Sequence, residues 1–184
     1  PTRPTAIPVS GSFSCSFDAY LEGDAGDPDH VNRVMAAARD DEGSLAVASD
    51  DARVAFDDVA PSIGVSKTPS SGTVPEPGGT VTFTIEVENT SVEPVTLTSL
   101  NDSVFGNLLD PANGAVFNNT CPTRPAMVAV GGSLRCSFDA ALTGDAGDAD
   151  HVDTVTAAAR DDDGNPAVAS DDARVAFDDV APSI

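Results

Sequence analysis

Apolar and polar residues alternate with a period of two along much of this chain. In Thr80–Glu88 every second residue is apolar and the residues between are threonine or glutamate; the apolar ones are Val81, Phe83, Ile85 and Val87. Gly11–Leu21 alternates in the same way, and its apolar positions are Phe13, Cys15, Phe17, Ala19 and Leu21. A period of two predicts half-buried β-strands.

Further strands are predicted between segments rich in Gly, Pro and Asp. They are Val31–Arg39 and Ala46–Phe56 around the turn Asp40–Ser44, a copy of this pair within Val152–Phe177, and Gly64–Lys67 and Val95–Leu100. Ala52, Val54 and Phe56 are expected to face inward, and Thr68–Gly79 is predicted to be loop. Short strands are expected around Leu108–Leu109 and Ala115–Phe117, with Cys121–Val130 extended. About seven short strands without helical periodicity predict an all-β Greek-key sandwich.

The chain also contains an internal repeat. When Cys15 is aligned with Cys136, an offset of 121 residues, 47 of the 63 pairs between residues 1–63 and 122–184 are identical. A period of this length indicates tandem domains. We therefore predict a complete repeat at residues 64–184 and the C-terminal half of another at residues 1–63. We expect the missing strands of that half to come from residues preceding Pro1 or from a neighbouring subunit.

The chain carries a formal net charge of −21, from 30 acidic and nine basic residues. This balance argues against nucleic acid and anionic membrane surfaces as partners, and no apolar run is long enough to span a bilayer. Three explanations of the acids stay open. They could bind Ca²⁺, keep a long polymer soluble, or adapt the surface to high salt.

Counting strands places two groups of these acids at facing ends of successive repeats. The candidate calcium ligands are Asp24, Asp27, Asp29, Asp57 and Asp58 of the first repeat and Asp161, Asp162 and Asp163 of the second. So many carboxylates close together repel one another unless a cation or solvent separates them. The spacing of an EF-hand is absent.

Three stretches resemble the immunoglobulin-like "conserved repeat" domains of large bacterial surface proteins. They are SIGVSKTPSSGTVPEPGGTVTFTIEVENTSVEPVTLTSLNDSVFGNLLD, NNTCPTRPAMVAVGGSLRCSFDA and VTAAARDDDGNPAVASDDARV. The resemblance covers the whole complete repeat. It implies an extracellular, multi-repeat, non-catalytic protein, and it does not imply a ligand.

Three cysteines bear on the cellular compartment. Cys121 and Cys136 are expected to form a disulfide, which would stabilise the fold by about 3 kcal/mol for a loop of this length; two buried thiols are the alternative. Cys15 would pair with a cysteine preceding Pro1. This usage predicts an oxidised, secreted protein.

Lysine and histidine each allow two interpretations. Lys67 is the only lysine, and we favour an exposed residue that discourages edge pairing. The alternative is an isopeptide bond to a late strand, with Asp153 as the candidate partner. His30 and His151 could bind zinc with neighbouring carboxylates, but a hydrogen bond that caps the loop is the favoured role.

The sequence lacks the common catalytic motifs, so we do not expect an enzyme. Near-identical copies suit a structural unit of an extracellular rod, stalk or filament whose partners are copies of itself. The alternative is an adhesin repeat that binds glycan or protein through its loops. Such loops should diverge between copies, yet the acidic loops barely change; the differences include Thr5–Pro8 against Ala126–Ala129 and scattered turn positions.

Overall fold

A computed structural model describes residues 5–183, in which every regular element is a β-strand. The strands are β1 (His30–Arg39), β2 (Leu45–Val54), β3 (Ile63–Pro69), β4 (Thr73–Pro75), β5 (Gly78–Asn89), β6 (Val95–Asp102), β7 (Gly106–Asn107), β8 (Ala126–Val128), β9 (Ser133–Thr143), β10 (His151–Arg160) and β11 (Pro166–Asp178). The chain divides into two compact units, one ending at Asp58 and the other beginning at Val59.

The first unit is an antiparallel hairpin of β1 and β2 with a long segment before it. The backbone N–H of Ser44 donates to Asp40 Oδ1 at 2.7 Å, and Gly43 adopts a positive φ of 90°. These contacts form the acidic turn that the sequence predicts. Every residue of both strands is exposed, so the expected inward face of Ala52 and Val54 is not buried within this unit.

The predicted strand Gly11–Leu21 is wrong for the described residues. This segment pairs with no strand. Phe17 and Tyr20 are largely exposed, at 76% and 88% of their full accessible surface. Its counterpart in the second unit is β9, which forms its hydrogen-bond ladder with β5. Residues 5–58 contain no strand in the position of β5, and alternation alone does not hold an unpaired strand.

The second unit is a sandwich of two sheets, as the sequence predicts. One sheet is antiparallel in the order β3-β5-β9; the other has the order β4-β11-β10-β6-β7, with β8 also paired to β6. The connections from β5 to β6 and from β9 to β10 cross between the sheets. The fold is therefore an all-β, immunoglobulin-like sandwich.

The core lies between the two sheets, and it contains the positions that alternation selects. The fully buried large side chains include Val81, Phe83, Ile85, Val87, Leu97, Leu100, Leu108 and Phe138. β10 and β11 face them with smaller residues, among them Val155, Ala157, Ala173 and Val175. Burial of these apolar side chains is the main favourable contribution to the stability of this unit.

One strand lies where only loop was predicted. Thr73–Pro75 (β4) pairs in parallel with the end of β11. A short edge strand of this kind is compatible with proline, because only one side of it must form hydrogen bonds. Around Ala115–Phe117 the predicted short strand is reduced to a single bridge between Phe117 and Asp139.

Candidate functional site

The only lysine of the chain is buried in the sandwich. Lys67 lies on β3, in the same phase as the half-buried Val65, and its side chain is fully buried. The interpretation of Lys67 as an exposed edge residue is therefore wrong. Although β3 is an outer strand of its sheet, the inward phase directs this side chain between the two sheets.

Two carboxylates of the opposite sheet surround the lysine amine. Asp102 ends β6 and Asp153 lies on β10, and these strands pair with Asp102 opposite Val155. Lys67 Nζ lies 2.5 Å from Asp153 Oδ2 and donates a hydrogen bond to Asp102 Oδ2. Both carboxylate side chains are fully buried. One amine from the first sheet thus touches two carboxylates from the second.

The two carboxylates are held differently. Asp102 Oδ1 accepts hydrogen bonds from the backbone N–H groups of Val104 at 2.9 Å and Phe105 at 3.0 Å, so the turn after β6 fixes its orientation. Asp153 has no hydrogen bond to either oxygen from the described residues. Its contact with Lys67 is close, but the angles are not those of a hydrogen bond. His151 Nε2 lies 3.3 Å from Asp153 Oδ2.

Aromatic rings enclose this group. Lys67 Nζ lies 4.5 Å from the ring centroid of Phe83, 5.6 Å from that of Phe138 and 5.7 Å from that of Phe105. The ring of His151 completes the enclosure at 5.5 Å from that of Phe105, and a loop-capping hydrogen bond from this histidine stays a prediction. These rings exclude water from the amine, and their faces attract its positive charge.

The energetic cost of this arrangement is high. Burying charged groups costs several kcal/mol per ion, and even good pairing often does no more than offset that cost. Here one cation faces two carboxyl groups among phenylalanine rings. Charged groups that are buried at such an energetic cost are frequently functional. We therefore take Lys67, Asp102 and Asp153 as the candidate site.

Sequence reasoning named Lys67 and Asp153 only in the alternative that it did not favour, and it missed Asp102. In VTLTSLND strict alternation from Val95 and Leu97 would point Asp102 outward. A β-bulge at Thr98 shifts the register opposite Ala158 and Ala159, so that Leu100 and Asp102 are buried. A bulge of this kind reverses which face the following residues occupy.

A second carboxyl pair lies at one end of the sandwich. Glu76 shares a hydrogen bond with Asp145 and accepts others from the backbone N–H groups of Ala146 and Val180. The bond from Asp145 is the main reason that the pKa of Glu76 falls from 4.5 to about 2. The same bond raises the pKa of Asp145, and the charge of Glu76 adds to that rise.

The candidate calcium ligands occupy loops in both units. In the first unit the N–H of Asp24 donates to Asp27 Oδ2 at 3.1 Å, which closes a small acidic turn. In the second unit Asp161 Oδ1 accepts from the N–H of Asn165 at 2.7 Å, and carboxylate oxygens of Asp161 and Glu93 lie within 4.8 Å of each other. An approach of the two groups of acids stays a prediction.

The second unit contains a disulfide between Cys121 and Cys136, with Cα atoms 4.8 Å apart. It ties the segment before β8 to β9, and both residues are buried. Stable disulfides form in oxidising compartments. Cys15 is an exposed thiol in the first unit, and its pairing with another cysteine stays a prediction.

No family model and no curated protein matches this sequence. Among solved structures, the chain is similar to the ASH/PapD-like domain of human CEP192 (PapD-like domain 7). The identity is 13% and the TM-score 0.39, and the match covers 64% of this chain and 87% of that domain. Across residues 5–183 there is no helix with the length and apolar character needed to cross a membrane.

Proposed function

We propose that the protein is a non-catalytic structural segment of an extracellular rod, stalk or filament, built from copies of its immunoglobulin-like repeat. The observation that carries this proposal is the identity of 47 of 63 aligned residues between the two copies. Copies that differ so little suit a spacer, since no single unit needs its own binding surface. The resemblance to repeats of bacterial surface proteins supports the same function and the extracellular location.

The internal links of the second unit support a role under load. The Cys121–Cys136 disulfide fixes one segment to β9, and the Lys67 group joins the two sheets through the core. Links between sheets oppose their separation when the ends of a domain are pulled. A protein that only recognises a ligand has less need of such links.

We further propose that Ca²⁺ binds the acids of the loops and stiffens the rod between repeats. The candidate ligands are those predicted from the sequence, from Asp24 to Asp58 in the first unit and from Asp161 to Asp163 in the second. The proximity of Glu93 and Asp161 supplies two carboxylates within one unit, and calcium accepts such flexible oxygen ligands.

Small-angle X-ray scattering of the full chain and of chains lengthened by one and two copies of residues 64–184 tests the rod. We expect the maximum dimension to grow by a constant increment per copy, because folded repeats joined end to end add their lengths. A dimension that stays nearly constant would contradict an extended rod. Saturable binding to a glycan array, lost when the loops are replaced, would favour the adhesin alternative.

The calcium proposal needs its own measurement on the same chains. We expect added Ca²⁺ to increase the maximum dimension obtained from scattering, and a chelator to reverse this increase. The circular dichroism spectrum should stay constant, because each repeat remains folded. The variant Asp161→Asn/Asp162→Asn/Asp163→Asn should lose the response. Its matched control, Asp171→Asn/Asp172→Asn, removes acids of the strand β11 and should keep it. An unchanged profile would leave solubility or salt adaptation as the reason for the acids.

A further inference from the structure

We propose that Lys67 and Asp153 become joined by an amide bond that the folded domain forms by itself, with Asp102 transferring the protons. The reaction is a condensation between the lysine amine and the aspartate carboxyl group. It would create a covalent link between β3 of one sheet and β10 of the other. This proposal depends on the buried site of the second unit and is independent of the rod function.

The first support is the proximity of the amine to the carboxyl group. Lys67 Nζ lies 2.5 Å from Asp153 Oδ2, and neither oxygen of Asp153 has a hydrogen bond from the described residues. Asp153 is therefore held close to the amine as an ion-pair partner, without a hydrogen bond that fixes the orientation of its carboxylate. Reacting groups fixed at such distances behave as though at very high concentration, which removes much of the entropic barrier to bond formation.

The second support is the exclusion of water. Both side chains are fully buried, and the rings of Phe83, Phe105 and Phe138 surround the amine. In bulk water an amide bond between an amine and a carboxylate is disfavoured, because both charged groups are well solvated. In this core the solvation is lost, while the neutral amide avoids burying the two charges.

The third support is the position of Asp102. Its Oδ2 accepts a hydrogen bond from Lys67 Nζ, and the backbone N–H groups of Val104 and Phe105 hold its Oδ1. A carboxylate locked by two backbone donors cannot turn away from the amine. It touches the reacting nitrogen, so it is placed to act as general base and then as general acid.

The steps balance without any cofactor. One proton passes from the Lys67 ammonium through Asp102 to the Asp153 carboxylate, which leaves a neutral amine and a carboxylic acid. The amine nitrogen forms a bond to the carboxyl carbon of Asp153, and Asp102 takes a proton from that nitrogen. Asp102 returns the proton to the departing hydroxyl, and the C–O bond breaks. The products are the amide and one water, with Asp102 again a carboxylate.

The other copy of the repeat has an amide side chain at the position of Asp153. Asn32 occupies the position that corresponds to Asp153. An asparagine side chain would give the same amide on reaction with a lysine, but it would release ammonia in place of water. The substitution Asp153→Asn in the second unit is therefore expected to preserve the cross-link. Asp153→Asn removes the negative charge but keeps a carbonyl that can react, whereas Asp153→Ala removes both. Comparing the two variants separates the effect of the charge from that of the reaction.

The single lysine makes the cross-link easy to detect in the full chain. Lysyl endopeptidase can cut this sequence only after Lys67, and a lysine whose amine is an amide is not recognised. We expect the denatured, reduced and alkylated chain to resist cutting, and its intact mass to be lower by one water. After trypsin, residues 54–135 and 136–160 should stay joined, and fragmentation should place the link at Lys67 and Asp153.

Four variants complete the experiment. Asp153→Ala and Asp102→Asn should keep the full mass and be cut into residues 1–67 and 68–184, whereas Asp153→Asn should resist cutting and lose ammonia. Asp172→Ala, an exposed acid of β11, should behave like the parent chain. Near-ultraviolet circular dichroism and NMR dispersion show that each variant is folded; Asp102→Asn keeps the oxygen that its turn requires.

Four results would overturn the proposal or its assignment of roles. A folded parent chain that has its full mass and is cut after Lys67 excludes the bond. Resistance to cutting in Asp153→Ala assigns the link to another acid. A folded Asp153→Asn chain that is cut shows that the geometry does not support the reaction. Resistance in folded Asp102→Asn removes Asp102 from the mechanism.

Discussion

Lys67 and Asp153 meet in the core although they come from opposite sheets, with Nζ 2.5 Å from Oδ2 and both side chains fully buried. The contact closes a loop that runs from β3 to β10 and includes most of the sandwich. Separating the sheets requires breaking this contact. Its loss should therefore affect the whole second unit and not only a surface region.

Replacing Lys67 by Met should destabilise the second unit by at least about 3 kcal/mol, because it leaves Asp102 and Asp153 buried without a positive partner. Urea unfolding followed by circular dichroism measures the change. Arg135→Met is the control, since Arg135 is an exposed cation on β9 and its loss should change stability by less than about 0.5 kcal/mol. Equal midpoints for the two variants would show that the buried group contributes nothing.

Removing the disulfide with Cys121→Ala/Cys136→Ala should lower the unfolding free energy by about 3 kcal/mol, the chain-entropy value for a loop of this length. The cysteines are 15 residues apart. Adding a reductant to the parent protein should give a similar midpoint in urea. The exposed thiol of Cys15 makes Cys15→Ala the control, and a shift in that variant would mean that Cys15 has a structural partner.

A close contact between glycine and phenylalanine is present in both copies of the repeat. A Cβ on Gly144 would lie 2.5 Å from the ring of Phe177, and the corresponding pair Gly23 and Phe56 is tighter still. Gly144→Ala should therefore cost about 1–3 kcal/mol through overpacking. Gly114→Ala, where no atom lies within 4 Å of the new methyl group, should leave the thermal midpoint nearly unchanged.

The strand pattern of the second unit was predictable because alternation and burial coincide there. Val81, Phe83, Ile85 and Val87 are all fully buried, as their spacing predicts. The first unit carries the same signal at Gly11–Leu21, yet that segment forms no strand. Alternation states which face of a strand would be apolar; the strand itself depends on a partner that supplies its hydrogen bonds.

The candidate site was only partly predictable for a related reason. Sequence reasoning gives Lys67 and Asp153 only as an alternative pair. The favoured prediction, an exposed Lys67, is wrong because a lone lysine on an edge strand gives no sign of its buried partners. Asp102 reaches the same site only because the bulge at Thr98 reverses the phase of β6. A β-bulge of one residue cannot be recognised from the composition of the strand or from the spacing of its apolar residues. Long-range proximity between β3, β6 and β10 follows from topology and not from local pattern.

The carboxyl pair of Glu76 and Asp145 predicts an unusual response to acid. Their shared hydrogen bond lowers the pKa of Glu76 to about 2 and raises that of Asp145 above 3.8. The lowered pKa of Glu76 stabilises the fold above pH 4.5, and this contribution is lost as the pH falls towards 2. The raised pKa of Asp145 acts oppositely: its contribution is present below pH 3.8 and is lost as the pH rises through the folded value.

The pair therefore stabilises the fold most at pH values between the folded pKa of Glu76, about 2, and the raised folded pKa of Asp145, where the two carboxyl groups share one proton. Carboxyl-detected NMR titration should show two separated steps for the parent chain. In Glu76→Gln the pKa of Asp145 should return towards 3.8, because its hydrogen-bonded neighbour and that neighbour's charge are gone. The stability difference between the two proteins should be largest in this acidic window and smaller at neutral pH, where both carboxylates are charged and repel each other. Glu42→Gln, in the exposed turn of the first unit, should alter neither step, and two overlapping steps in the parent would contradict the shared proton.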